Sequence, residues 1–352
     1  MKIVSLFTGC GGLDLGFKQA GFDIIWANEF DKTIWDTIRI NFPTVNLDTR
    51  SITDIKSSQI PSAEGLIGGP PCQSWSEAGS RRGINDNRGK LFYEYIRILK
   101  AKQPKFFIAE NVAGILHKRH ASALGNIITK FSDAGYQLSI KLLNASDFNV
   151  PQDRLRVFIV GYHRSLNRRF QFPKPSKYKT NMKEAIWDLR KIKPTKILNT
   201  TVINEDLQTQ NHHYLDSTFS SRYMSRNRVR QWHEPSFTIQ ANGRHIPLHP
   251  QAPKMKLASA NQRMFDEQQL KKYRRLSVRE CARIQTFPDD FILQYNKINN
   301  GYKMIGNAVP VNLSQCLAQQ ILIDLTDSDI SSRDTEESQL ELFDVQMQKM
   351  VK

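Results

Sequence analysis

In Lys2-Ile3-Val4-Ser5-Leu6-Phe7-Thr8-Gly9-Cys10-Gly11-Gly12-Leu13-Asp14, an apolar strand over 2–7 runs straight into a glycine-rich turn. A helix-like pattern follows over 13–20, then a second strand over 23–27 and, just beyond it, Glu29. Glycines at a strand-to-helix turn let the backbone bend tightly and approach a ligand closely. An acidic residue about twenty positions on is placed, in doubly wound sheets, to hydrogen-bond a ribose. A dinucleotide is the obvious ligand. However, the turn leads into Leu13-Asp14-Leu15 without the third glycine that lets a helix approach a pyrophosphate. An adenosine cofactor lacking a pyrophosphate fits better. Cys10, inside the turn, reads as a small filler rather than a nucleophile.

Further short apolar runs at 65–67, 106–109 and 157–160 each meet a turn or helical signal. Strands alternating with helices argue for an α/β fold, a parallel sheet with helices on both faces. From about Pro173 the periodicity breaks into a polar region rich in Asn, Thr, Gln and His. It is too long for an ordinary loop and reads as a second, smaller domain. Helical patterning resumes near Ser277, and 309–325 reads as a final amphipathic helix. The polar, acidic tail from 326 is expected to be mobile.

The 352 residues carry a formal net charge of +16, which points to a polyanionic partner, most commonly nucleic acid. No apolar run reaches the ~18 residues that span a bilayer, and the N-terminus reads as a core strand rather than a signal peptide. No membrane partner is expected, and the expected location is cytoplasmic. The four cysteines, Cys10, Cys72, Cys281 and Cys316, form no C-x-x-C pair, so neither a disulfide framework nor a metal site is expected.

The chemistry gathers at strand ends. Gly68-Gly69-Pro70-Pro71-Cys72-Gln73-Ser74-Trp75-Ser76 follows a buried strand, and open sheets place ligands at that end. Prolines stiffen the approach, so the thiol of Cys72 is held exposed as a candidate nucleophile. Glu110, in Glu110-Asn111-Val112, ends the next strand and is a candidate acid beside it. In Gln152-Asp153-Arg154-Leu155-Arg156, alternation puts Arg154 and Arg156 on one face.

These blocks, with Arg279-Glu280-Cys281-Ala282-Arg283 and Gly306-Asn307-Ala308-Val309-Pro310, stand in the order F-x-G-x-G-G, P-P-C-Q, E-N-V, Q-x-R-x-R, R-E-C-A-R, G-N-A-V-P. The chain resembles the bacterial DNA (cytosine-5) methyltransferases over nearly its whole length except the tail. That resemblance implies a Rossmann-like S-adenosylmethionine-dependent methyltransferase fold with a smaller, irregular target-recognition domain. The divisions expected are 1–175 for catalysis and cofactor, 176–275 for target recognition, 276–325 as a return to the first domain and 326–352 as tail. S-adenosylmethionine would be lined by Phe7, Gly9, Gly11, Leu13 and Leu91 and closed by Asn307. Glu29 would hold the ribose and Phe30 would pack on the adenine. The family's acidic adenine contact aligns with Ser51, with Asp54 a competing candidate.

The resemblance further implies that the target base is flipped out of the duplex, that Cys72 adds to its carbon 6, and that Glu110 binds ring nitrogen 3. Arg154 and Arg156 would orient the base and Glu110. Gln73 and Ser76 would touch DNA, and 79–89, with Arg81, Arg82 and Arg88, would close over the substrate. Arg226, Arg228, Arg230 and Arg244 are candidate readers of guanine, although phosphate contacts would explain any one of them. The stretch 226–250 is similar to that of modification methylases acting on the inner cytosine of GGCC. A monomer acting on double-stranded DNA, protecting it from a companion restriction endonuclease, is the expectation. An RNA cytosine-5 methyltransferase of the same fold is the nearest alternative.

Overall fold

A computed structural model describes residues 1–71, 89–198 and 209–327. Its centre is β1 (Lys2–Leu6), flanked by β2 (Asp23–Asn28) and β4 (Gly65–Gly68), with β3 (Asn46–Asp48) outside β2. Beyond β4 come β5 (Phe106–Val112), β7 (Leu155–His163) and, at the edge, β6 (Tyr136–Asn144). The sheet order is β3-β2-β1-β4-β5-β7-β6. Neighbours from β3 through β5 pair in parallel, whereas β7 runs antiparallel to both β5 and β6.

The parallel sheet expected from the alternation holds from β3 through β5 and gives way at β7. Reversal has a direct consequence. Arg156 is the second residue of β7, and because β7 runs backwards it pairs with Val112 at the end of β5. A parallel strand would have carried Arg156 to the opposite rim. β5 also extends past Glu110 to Val112, so the carboxylate lies within the strand rather than after it.

Alternation divides the core. On β5, Phe106 and Ile108 face α1 (Gly12–Gln19) and α8 (Val311–Thr326), with Phe17, Leu317 and Ile321. Phe107 and Ala109 face α3 (Gly89–Lys102) and α4 (Ala121–Asp133), with Tyr95, Leu99 and Phe131. Burial of each such phenylalanine contributes about 1.5–3 kcal/mol, enough to hold the strand ends in register while the loops beyond them carry chemistry.

The C-terminal helices α6 (Val278–Ile284) and α7 (Ile298–Asn307) form a third cluster with Ile38 of α2 (Trp35–Asn41) and Met182 and Ile186 of α5 (Met182–Ile186). Ile239 and Ile246, from the polar region, join this cluster. That region otherwise holds little regular structure: β8 (Thr195–Ile197) pairs with β9 (His213–Leu215), and β10 (Lys256–Ser259) with β11 (Gln262–Met264). Tyr223, Val229, Leu248, Ala252 and Met255 make its own small core.

Among the described residues Cys10, Cys281 and Cys316 are free thiols. No described helix is long and apolar enough to cross a membrane.

Candidate active site

Glu110 meets Arg156 at the rim shared by β4, β5 and β7. The Arg156 Nε lies 2.9 Å from Glu110 Oε1, and the two side chains are only 14% and 12% exposed. Burial raises the pKa of Glu110, while the charges of Arg156 and then Arg154 oppose the rise. The net direction is upward, which favours a carboxyl that keeps or shares a proton. Gly69 crosses directly above: a Cβ there would come within 3.2 Å of Glu110 Oε2. Asn111 Nδ2 donates to Pro70 O at 3.3 Å, tying the end of β5 to the prolines that precede Cys72. Cys72 itself, with Gln73, Ser76, Arg81, Arg82 and Arg88, lies outside the described residues.

The two arginines expected to act together separate. Arg154 is fully buried, and its guanidinium donates to Ile239 O at 3.2 Å, Gly306 O at 2.9 Å and Ala308 O at 3.0 Å. Among the described residues it makes no hydrogen bond to a carboxylate; it holds the backbone on both sides of Asn307. Arg154 therefore braces the turn around Asn307, and its charge also reaches Glu110 from just before the start of β7. Leu155, between the two arginines, is 47% exposed.

Across the rim, the glycine turn faces Glu29. Phe7 adopts φ 55, a left-handed conformation that is costly for a bulky residue. Gly9 (φ +58) has open space where a side chain would stand, and Gly11 (φ +84) packs so closely that a Cβ would lie 2.4 Å from Phe42 Cε2. The Glu29 carboxylate is oriented from two sides: Gly9 N–H donates to Oε2 and Asp31 N–H to Oε1, each at 2.8 Å. Each oxygen keeps lone-pair capacity for a hydroxyl donor. Phe30, beside it, is 70% exposed, a bare ring at the sheet edge. Leu13 is buried in the core behind the turn, so it supports the turn from beneath. Leu91 is partly buried on α3, and Asn307 is exposed at the end of α7. Ser51 Oγ lies 2.7 Å from Thr53 Oγ1, which in turn donates to Asp54 Oδ1 at 3.2 Å, so both candidates for the adenine contact belong to one hydroxyl chain.

Cys10 is buried, contacts Met304 O through Sγ at 3.4 Å, and burial pushes its thiol up to about 12, as suits a filler. Asp14, not singled out from sequence, is also buried and pushed up to about 7, chiefly by burial.

Of the arginines in the polar region, Arg226 and Arg244 are exposed. Arg228 and Arg230 are occupied within the protein. Arg228 donates to Tyr223 O at 2.8 Å and Arg222 O at 3.2 Å and lies over the Tyr223 ring. Arg230 reaches Asp153 and Glu234. Arg226 and Arg244 are thus the exposed members of the four, whereas Arg228 and Arg230 brace the segment. Sequence reading also missed Gln152, whose Oε1 accepts from Ile239 N at 2.9 Å, and Thr238, whose hydroxyl donates to Asp153 O at 2.6 Å. Gln152 belongs to the Q-x-R-x-R block, but nothing local marks Thr238.

The sequence profile of the C-5 cytosine-specific DNA methylases matches residues 1–322, and the chain belongs to that family of DNA (cytosine-5) methyltransferases. Among its relatives, the type II methyltransferase M.FnuDI of Fusobacterium nucleatum is 55% identical over 333 residues, 94% of this chain and 96% of that one. M.NgoPII of Neisseria gonorrhoeae is 52% identical over 327 residues, 91% and 95% of the two chains. Among solved structures, a chain described as a prophage-encoded DNA modification methyltransferase of E. coli superposes with a TM-score of 0.68 at 22% identity, covering 93% of this chain and all of that one. DNMT2 of Spodoptera frugiperda gives 0.64 at 19% identity, covering 93% and 99%. These distant structures speak to the fold alone.

Proposed function

We propose that this enzyme methylates carbon 5 of the inner cytosine of GGCC in double-stranded DNA, by base flipping and covalent catalysis through Cys72, and acts as a monomer. The observation that carries the chemistry is the buried Glu110–Arg156 pair at 2.9 Å, set beside the strand end that leads into Pro70-Pro71-Cys72. The specificity rests on the similarity of 226–250 to methylases of that site. The same reading makes 176–275 the target-recognition domain, 1–175 and 276–325 the catalytic body, and the activity a protection against a companion nuclease.

The open space over Gly9, the oriented Glu29 carboxylate and the bare Phe30 ring fit an adenosine group. S-adenosylmethionine, held there, supplies the methyl group that carbon 5 takes. Glu29 would accept from the ribose hydroxyls, and the Ser51–Asp54 chain would meet the adenine amine. Cytosine carbon 5 is a weak nucleophile, so the Cys72 thiolate first adds to carbon 6 and makes carbon 5 enamine-like. Glu110, its proton favoured by burial, donates to ring nitrogen 3 and offsets the charge that develops there. Arg156 holds the carboxyl in place. The carbon 5 proton passes to water, the thiolate is eliminated and nitrogen 3 returns its proton to Glu110, which restores the ring and the enzyme. Arg226 and Arg244 would meet DNA bases or phosphates.

Bisulfite mapping of duplex DNA treated with the enzyme tests the reading. Methylation at the inner cytosine of GGCC, with resistance to a GGCC-cutting nuclease, is expected. Incorporation at another site refutes the specificity, and incorporation into RNA in preference to duplex DNA refutes the substrate.

A further inference from the structure

Arg230 stands in a row with Arg226 and Arg228, yet its guanidinium faces inward. It lies 4.3 Å from the Phe237 ring centroid. Nη2 donates to Asp153 Oδ2 at 3.1 Å and Nη1 to Glu234 Oε1 at 3.3 Å. The other oxygen of Asp153 accepts from Asn144 Nδ2 at 3.3 Å, at the end of β6. Asp153 immediately precedes Arg154, and three residues on is Arg156, which holds Glu110.

The stretch between Arg226 and Arg230 is stiff. Asn227 Oδ1 accepts from Val229 N at 3.3 Å and Met255 N at 3.0 Å, and Leu248 N donates to Arg228 O at 3.0 Å. One end of this strut carries an exposed arginine; the other is clamped to the segment that leads into the strand carrying the acid's partner. Backbone bonds between Asp153 N and Ser236 O (2.9 Å) and between Ser236 N and Pro151 O (2.8 Å) already join the two segments. Without the ion pair the junction would remain, with freedom to swing about it.

We propose that Arg230 is a positioning residue whose ion pair with Asp153 sets where the Arg226 end of the strut stands relative to the Glu110–Arg156 pair, and so sharpens the choice of DNA site. The inference rests on the reading of Arg226 as a DNA contact. A misplacement of about 1 Å in a positioning element is enough to cost a large factor in rate, and the cost falls unequally on correct and incorrect sites.

The test compares wild type, Arg230→Gln, Asp153→Asn and the double variant. For each, kcat/KM is measured on a duplex carrying the wild-type enzyme's mapped site and on one with a single base pair changed. The salt dependence of DNA affinity is measured alongside. Each single variant is expected to lower the ratio of the two values by about tenfold, and the double variant no further, since the residues act as one unit. The salt slope should not change. Arg230→Lys, which keeps the pair, should restore most of the ratio and guards against a fold-level explanation. If Arg230→Gln instead lowers the salt slope by about one while Asp153→Asn is silent, Arg230 is a phosphate contact and the proposal falls. An unchanged ratio in folded single variants also overturns it. Failure of the wild type to prefer any sequence would strike the DNA-contact reading itself, and would show before any variant is examined.

Discussion

Two buried carboxylates in this molecule each face an arginine, and their protons are pulled in opposite directions. Glu110, at the sheet rim, has one ion-pair contact from Arg156 Nε, and burial raises its pKa. Glu280, in the first turn of α6, meets Arg274 through two bonds of 2.7 Å. It also accepts from Ser277 N at 2.7 Å, while Ser277 Oγ caps the helix in return. His249 Nε2 lies 3.4 Å away. Glu280 is more deeply buried than Glu110, yet the Arg274 charge, with His249 and the hydrogen bonds, overcomes burial and holds its carboxyl well below the usual range. The difference is donor count. A carboxylate whose lone pairs are all engaged is a structural pin, held ionised; one left under-coordinated is shifted toward its protonated form by burial and keeps unengaged lone pairs.

Substitution should separate the two roles. Glu110→Gln is expected to lower kcat for DNA methylation by about 10²–10⁴-fold without unfolding the protein; near-normal turnover would break the contrast. Glu280→Gln should instead destabilise the fold by about 3–5 kcal/mol, since it leaves Arg274 buried without its charge partner. Denaturant unfolding measures that loss, and activity per folded molecule should stay within a few-fold of wild type.

Acid should find the second site first. Burial holds His249 down at about 4 in the folded protein, against an ordinary value of 6.5. An unfolded chain therefore takes up that proton earlier, so stability present above pH 6.5 is lost as pH falls toward 4, by an amount on the order of 3 kcal/mol. Glu280, also depressed, adds to the loss at still lower pH. Glu110 has the reverse sign: its raised pKa makes its contribution decline as pH rises above 4.5, so Glu110→Gln should gain stability relative to wild type on the alkaline side. Parallel pH–stability curves for the two proteins would contradict this. The smallest effect is expected from Gly69→Ala, whose Cβ would press on Glu110 at 3.2 Å. A fall of about tenfold in kcat, without loss of DNA affinity, would show that the acid's position and not only its presence matters.

Much of the rim was legible because its strands are apolar runs that each end in a chemical motif. The direction of β7 was not, since Val157-Phe158-Ile159-Val160 reads alike both ways. β6 was missed because it is an edge strand whose middle is only half-buried, and β3 because it is three polar-flanked residues. Arginine roles were the least legible. Whether a guanidinium meets DNA or a carbonyl depends on backbone far away in sequence, as with Arg154 and Ala308, 154 positions apart.

That last bond also constrains the order of events during synthesis. Arg154 finds the last two of its three acceptors only when Gly306 and Ala308 arrive, and Leu13 O receives Ser314 Oγ at 2.6 Å only later still. The helix that follows the glycine turn is thus tied to a residue 301 positions further along the chain. A chain interrupted before Gly306 would carry the strands of the rim while lacking the carbonyls that Arg154 holds on either side of Asn307.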